Sequence, residues 1–307
     1  MLQWRTQMAK ETFIEKKFRQ SSLDIIEKAN DILEEYEQQG LVLTLRQLYY
    51  QFVARGLIPN KQTEYARLGG IVNDARLAGL IDWAMMEDRT RYVRSVNSWD
   101  APEDIVEACA RQYKEDLWRG QKYRPEVWIE KDALVGVIET ACNELRTSYF
   151  ACRGYASQSS QYEAGQRFRN LKRRGQIPII FHLGDHDPSG IDMTRDNTDR
   201  VRMFSLFAGF EVRRLALNMD QVQQYNPPPN PAKETDSRAA GYIDRFGNES
   251  WELDALNPTV IDQLIRTNIE GLIDRRAWNA AQAREDANKE KLQAISDRWD
   301  DVQEYLT

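Results

Sequence analysis

IPIIFHLGDHDPSGID, residues 177–192, carries an apolar run into two aspartates one residue apart and then into Pro-Ser-Gly. A continuous apolar stretch of this length, bounded by turn residues, reads as a strand covered on both faces, as in parallel sheets. Gly184 and Gly190 let the backbone turn tightly around Asp185 and Asp187, and Pro188 stiffens the exit. Two like charges at the edge of a low-dielectric core repel each other and raise at least one pKa unless something answers them. Capping of the following helix is one answer. A bound cation is another, and the choice between them depends on what else reaches the same edge.

The flanking sequence supplies a third carboxylate. Residues 126–145 read as a short apolar strand ending at Glu130 and then a helix, 147–157 as a strand ending in a glycine turn, and 160–174 as a helix. After the 177–187 strand come a helix over 192–210 and a fourth strand over 211–218. Strands alternating with helices predict an α/β fold, a mostly parallel sheet flanked by helices. Sites in such sheets gather at the carboxyl ends of the strands, which would bring Glu130, Asp185 and Asp187 to one rim. Three hard oxygen donors suit Mg²⁺ or Mn²⁺. His182 and His186, four apart on the same strand, are too widely spaced to share a zinc ion.

Upstream, residues 21–40 form an amphipathic helix with a Ser-x-x-Asp opening and a stop at Gly40, and residues 43–58 form another that caps at Thr44 and stops near Gly56. After the Pro59-Asn60 turn, residues 63–81 make a helix carrying Arg67 and Arg76, and the stretch after it, with Arg89, Arg91 and Arg94, suits a two-stranded wing. Helix, turn, basic helix and hairpin is the order of a winged helix-turn-helix. Between 41 and 94 eight basic residues face five acidic ones, against a net charge of −6 for the 307-residue chain. A second basic run, Arg167, Arg169, Lys172, Arg173 and Arg174, adds a candidate phosphate-binding surface. Three segments follow from this: an N-terminal helical extension over 1–40, a winged-helix domain over 41–97, and an α/β domain with C-terminal helices over 98–307. Residues 98–118 read as a connecting helix, 226–248 as a Pro-rich surface loop, and 251–274 and 278–306 as closing helices.

Bulk composition narrows the class. With 41% hydrophobic and 29% charged residues and no apolar run of membrane-spanning length, the chain reads as a soluble globular protein with no membrane partner. The mixed charges of the first twenty residues exclude a signal peptide and predict a cytoplasmic location, nucleoid-associated in a bacterial, plasmid or phage setting. Three cysteines without a C-x-x-C pair point to neither a disulfide framework nor a zinc ribbon.

Ile129-Glu-Lys-Asp-Ala-Leu134 followed by Gly184-Asp-His-Asp-Pro-Ser-Gly190 resembles the Toprim domain of topoisomerases and related nucleases. The D-x-D-P-x-G form, the strand-turn at Gly154 and Trp251-Glu-Leu-Asp-Ala-Leu256 are similar to the A subunit of topoisomerase VI and its meiotic double-strand-break relatives. That family places a winged helix with the pattern R-x-x-Y/F-Y before Toprim; here the matching residues are Arg46-Gln-Leu-Tyr-Tyr50. The resemblance covers roughly residues 40–275 and is most like the compact, orphan Mini-A type, since little is present of the extension that docks an ATPase B-type subunit.

The resemblance implies a type IIB topoisomerase-like enzyme acting on double-stranded DNA. It assigns Tyr50 as nucleophile, Arg46 as a positioning residue for phosphate or tyrosine, and Glu130, Asp185 and Asp187 as ligands of Mg²⁺ or Mn²⁺. It also implies a homodimer in which tyrosine and metal come from different protomers, cutting to leave a 5′-phosphotyrosyl link and a 3′-hydroxyl. A phenol ionises near pH 10, so Arg46 and the metal must favour the developing charge. Two other readings fit the same residues: a Toprim nuclease using metal-bound water in a defence or mobile-element role, and a non-catalytic winged-helix DNA-binding protein. No G-x-x-x-x-G-K-[ST] loop is present, so ATP-driven strand passage would need another chain.

Overall fold

The computed structural model describes residues 12–86, 98–206, 209–233 and 235–306. Its centre is a four-stranded sheet in the order β2-β1-β3-β4, built from β1 (Tyr123–Ile129), β2 (Ser148–Ala151), β3 (Ile177–Leu183) and β4 (Glu211–Ala216). All three pairings are parallel. Side chains alternate between two cores, as a pleated strand requires. Val127 and Ile129 of β1 and Ile179, Phe181 and Leu183 of β3 face a core shared with α5 (Val135–Glu144) and α10 (Pro258–Glu270). Trp128 and Ile180 face the opposite core, under α6 (Gln158–Arg173) and α7 (Pro188–Ser205). Helices α6 and α7 cross so closely that a Cβ on Gly165 would come within 2.6 Å of the Phe204 Cβ, a contact that only glycine permits.

The α/β reading of the sequence is therefore what the chain adopts, strand for strand. Several boundaries move. Helix α7 starts at Pro188 rather than 192, because Asp187 caps it: the Asp187 carboxylate accepts from Gly190 N–H at 2.6 Å. The 226–248 connection is not a plain loop. It holds β5 (Asn230–Pro231) and α9 (Ala239–Phe246), and the chain returns through β6 (Glu249–Ser250), antiparallel to β5. Buried Tyr242 of α9 explains the order there, since its hydroxyl lies 2.7 Å from His186 Nδ1. The short α8 (Met219–Tyr225) precedes this segment.

Three helices, α1 (Gln20–Glu37), α2 (Leu45–Ala54) and α3 (Gln62–Leu77), pack around a separate core that includes Ala29, Leu33, Leu48, Phe52 and Val72. Helix α2 begins as its sequence predicts. Thr44 and Gln47 form a reciprocal capping box, and the chain leaves the helix through Gly56 at φ +67°. The expected Ser-x-x-Asp cap on α1 does not form: α1 starts at Gln20, after Arg19, with no side-chain cap. Three helices thus stand in the stretch where the sequence predicts them. The wing expected after it, with Arg89, Arg91 and Arg94, lies outside the described residues, which reach Met86 and its bridge to Leu43.

The connecting helix α4 (Pro102–Gln112) starts at Pro102 and packs on the long α11 (Arg275–Asp297), which α12 (Trp299–Leu306) follows. No helix among the described residues is long and apolar enough to cross a membrane.

Candidate active site

Strands β1 and β3 run in register, Ile129 beside Leu183, so Glu130 and Asp185 emerge side by side at the carboxyl end of the sheet. Glu130 N–H donates to Leu183 O at 2.9 Å, and Asp185 N–H donates to Glu130 Oε2 at 2.8 Å. The turn that follows tolerates no side chain at Gly190, where a Cβ would collide with the Asp185 carbonyl. Partly buried Arg214 of β4 holds this turn from behind. It donates to Gly184 O at 2.9 Å, Asp185 O at 2.6 Å and Gly190 O at 2.8 Å.

A second segment closes the rim. His186 and Trp251 exchange backbone hydrogen bonds of 2.8 and 3.0 Å, which lays Glu252, Leu253 and Asp254 against the aspartate turn. Leu253 N–H then donates to Asp185 Oδ1 at 2.8 Å. Lys131, next to Glu130, reaches into the middle: its Nζ lies 2.9 Å from Asp185, 3.0 Å from Glu252 and 3.4 Å from Asp254. Arg46 comes from α2 in the helical unit to pair with Glu252 and, at 2.6 Å, with Asp254. Asp254 is 2% exposed, and neither of its oxygens accepts a hydrogen bond of normal geometry, so the two cations are what its charge relies on.

The electrostatics follow from this crowding. Burial and the neighbouring Asp185 push Glu130 up to about 7. Burial likewise raises Asp185, against the pull of Lys131. Burial alone would raise Glu252, but Lys131 and Arg46 bring it down to about 2. Arg214 is drawn down to about 10 by burial although three carboxylates oppose the shift.

Tyr50, the sequence candidate for nucleophile, is 4% exposed. Its phenol is held above the ordinary value by burial and by Glu252, while Arg46 and Lys131 act the other way. Arg46 lies over its ring, 5.7 Å from the centroid. Tyr49, its neighbour, is tied down by hydrogen bonds from its hydroxyl to Asn60 Oδ1 (2.9 Å) and Lys61 O (3.2 Å), which leaves Tyr50 the freer of the two phenols. Two pockets meet here. One, of about 480 Å³, opens over Glu130, Asp185, Asp187 and Asp254; the other, of about 270 Å³, lies beside Tyr49, Tyr50 and Tyr65, and Arg46 and Glu252 line both.

The metal ligands inferred from the sequence are thus brought together, but not in the form of a ready cage. Among the described residues no group of three or more His, Cys, Asp or Glu side chains stands in an arrangement that could hold a metal ion. Lys131 takes the position a cation would take, Asp185 is engaged on both oxygens, and Asp187 spends one oxygen on its cap. Among the described residues Glu130 Oε1 and Asp187 Oδ2 receive no hydrogen bond. The donors are of the kind a hard divalent cation takes, and binding one would mean competing with Lys131.

The expected DNA-contacting residues divide. Arg67 folds onto Glu64 of its own helix at 2.6 Å. Arg76 turns inward over Trp83, 4.3 Å from the ring, and donates to Trp83 O. Arg167 pairs with Glu126 of β1 through two 3.0 Å hydrogen bonds, an anchor of α6 on the sheet. Arg169, Lys172, Arg173 and Arg174 lie toward the carboxyl end of α6, which precedes the start of β3 at Ile177, so they sit at the edge of the sheet opposite the carboxylates. Lys131, Arg214, Glu252 and Asp254 carry no role in the sequence reading. Their signals were a lysine directly after a strand-end glutamate and an E-x-D step after a tryptophan. Comparison of the chain with protein-family models, with curated proteins and with solved structures finds no match.

Proposed function

We propose that the chain is a metal-dependent DNA strand-cleaving protein of the topoisomerase VI A-like type, a winged helix joined to a Toprim domain. One observation carries the reading: Arg46 of the Tyr50 helix pairs with Glu252 and Asp254, on the same rim as Glu130 and Asp185. A tyrosine, an arginine and clustered carboxylates are the parts that phosphodiester transfer to a protein nucleophile needs.

In this proposal the Tyr50 oxygen attacks a backbone phosphorus, the bond to the 3′-oxygen breaks, and the phenol proton ends on that oxygen. The products are a 5′-phosphotyrosyl link and a 3′-hydroxyl, with no oxidant or nucleotide consumed. Arg46 stabilises charge on the phenol or phosphate, and Arg214 keeps the aspartate turn rigid. Glu130, Asp185 and Asp187 would hold Mg²⁺ or Mn²⁺, which when bound supplies positive charge to the phosphate. A homodimer would make two such cuts in a duplex. Within one chain, Arg46 of the Tyr50 helix already meets Glu252 and Asp254.

A second reading has its own support. Tyr50 is 4% exposed and its phenol resists ionisation, which favours a Toprim-type nuclease in which water attacks and Tyr50 is a packing residue. Supercoiled plasmid incubated with Mg²⁺ or Mn²⁺ and stopped with SDS separates the two. The phosphotyrosyl reading expects breaks whose DNA enters a gel only after protease treatment, and at least a hundred-fold loss in both Tyr50→Phe and Asp185→Ala. Full cutting by Tyr50→Phe selects hydrolysis. Mixing the two variants should restore nothing if each site is complete within a chain; recovered nicking would mean that the subunits share sites.

A further inference from the structure

The smaller pocket has a composition that cleavage at Tyr50 does not use up. Its walls are Tyr49 and Tyr65, packed edge to face with ring centroids 5.2 Å apart, and the amide side chains of Asn60, Gln62 and Asn230. One end opens on the start of α3, a 16-residue helix whose N-cap, Lys61, supplies no side-chain hydrogen bond. The first N–H groups of such a helix, together with its dipole, favour an anion. The Lys61 side chain is exposed beside them. The other end holds Tyr50, 4% exposed, whose hydroxyl makes no hydrogen bond among the described residues. The Tyr50 ring is buried while its hydroxyl faces the pocket, where it can donate to a ligand.

Each part matches one part of a nucleotide. The partly buried Tyr65 ring can take the π-face of any base, while Tyr49, 4% exposed, backs it edge to face. Asn60 is held by Tyr49 and Asn230, which leaves the Gln62 amide and the Asn230 Nδ2 to pair with the edge of the base, and the helix start with Lys61 takes a phosphate. A volume of about 270 Å³ lies at the small end of ligand pockets and suits one nucleotide better than a stacked pair. We infer that this pocket binds a single unpaired nucleotide of a DNA strand, drawn out of the duplex beside Tyr50. The inference rests on DNA being the substrate, and it adds what the proposed function leaves open: a preference for DNA with a base that is already unpaired. Extruding a base costs unstacking energy, least where pairing is already lost.

The test measures binding alone, in EDTA, so that cleavage plays no part. Fluorescent hairpin duplexes of one sequence are compared in three forms: fully paired, with one bulged nucleotide, and with an abasic site in the bulge. The full chain should bind the bulged form about ten-fold more tightly than the other two. Tyr65→Ala should remove that preference and leave paired-duplex affinity within two-fold, while Tyr65→Phe keeps it. Lys61→Glu, at an exposed site where folding is not at risk, should weaken the preference as well. Equal binding of all three hairpins, or an undiminished preference in both Tyr65→Ala and Lys61→Glu, overturns the inference. So does a tyrosine-dependent site filled by a free deoxynucleoside monophosphate at concentrations where no hairpin binds. Absence of a Tyr50–DNA link in the plasmid assay would defeat the cleavage mechanism and leave this binding result standing.

Discussion

The two edges of the central sheet hold charge in opposite ways. At the carboxyl edge, five acidic side chains from three separate stretches, Glu130, Asp185, Asp187, Glu252 and Asp254, converge around Lys131 and Arg46. At the amino edge, the basic run of α6 is continuous in sequence and spread over a helix end. Proximity along the chain produced a solvated surface, and separation along the chain produced a crowded site. The difference lies in burial. Lys172, Arg173 and Arg174 at the amino edge stay exposed to water, whereas a charge at the carboxyl edge must find a protein partner or shift its pKa.

Removing a rim cation should therefore cost far more than removing an edge cation. Arg46→Ala leaves Asp254 buried with Lys131 alone, 3.4 Å away. Because Arg46 is itself partly exposed, the expected loss is about 2 kcal/mol, between the values for exposed and buried pairs. Urea unfolding checks it, and a loss below about 0.5 kcal/mol would mean that the two halves are not joined through this ion pair.

The sheet beneath the rim gives a pH signature. His182 is fully buried, accepts or donates at Nδ1 with Thr194 at 2.8 Å, and is lowered to about 3 by burial and by Arg214. Its folded pKa lies below the unfolded value, near 6.5, so the unfolded chain binds the extra proton. Stability is full above that unfolded pKa and falls as pH drops from about 6.5 toward 3, by at most about 1.4 kcal/mol per pH unit. His182→Gln should flatten this part of the urea-derived stability profile; an unchanged slope would place the acid sensitivity elsewhere. The smallest effect is expected at the far edge. Arg173→Ala with Arg174→Ala should change stability by less than about 0.5 kcal/mol, and the slope of log affinity for DNA against log salt by less than about one. A larger change in slope would carry the DNA path across the amino edge.

Much of the scaffold was legible because local physics decides it. The Ile177–Leu183 strand, the Thr44 cap and the Gly56 exit are set by residues within a few positions of each other. The convergence of Glu130 with Asp185 followed from the rule that parallel strands end together. What stayed hidden depends on long-range pairing. Nothing near Glu252 announces that the His186–Trp251 bridge will lay it on the rim, or that Arg46 will cross from another core to meet it. Lys131 was visible as a residue and silent as a role, since its three acidic partners come from two distant segments. Asp187 shows that the competing answers were both present: it caps α7 and also lines the larger pocket.

Under the proposed function Tyr50, and not water, becomes joined to DNA. Trypsin cleaves after Arg46 and Arg55, releasing the peptide 47–55 that contains both Tyr49 and Tyr50. Mass spectrometry of this peptide, taken from SDS-stopped and nuclease-trimmed reactions, should find a nucleotide adduct on Tyr50. DNA breaks accompanied by unmodified peptide, or by an adduct on Tyr49, would contradict it.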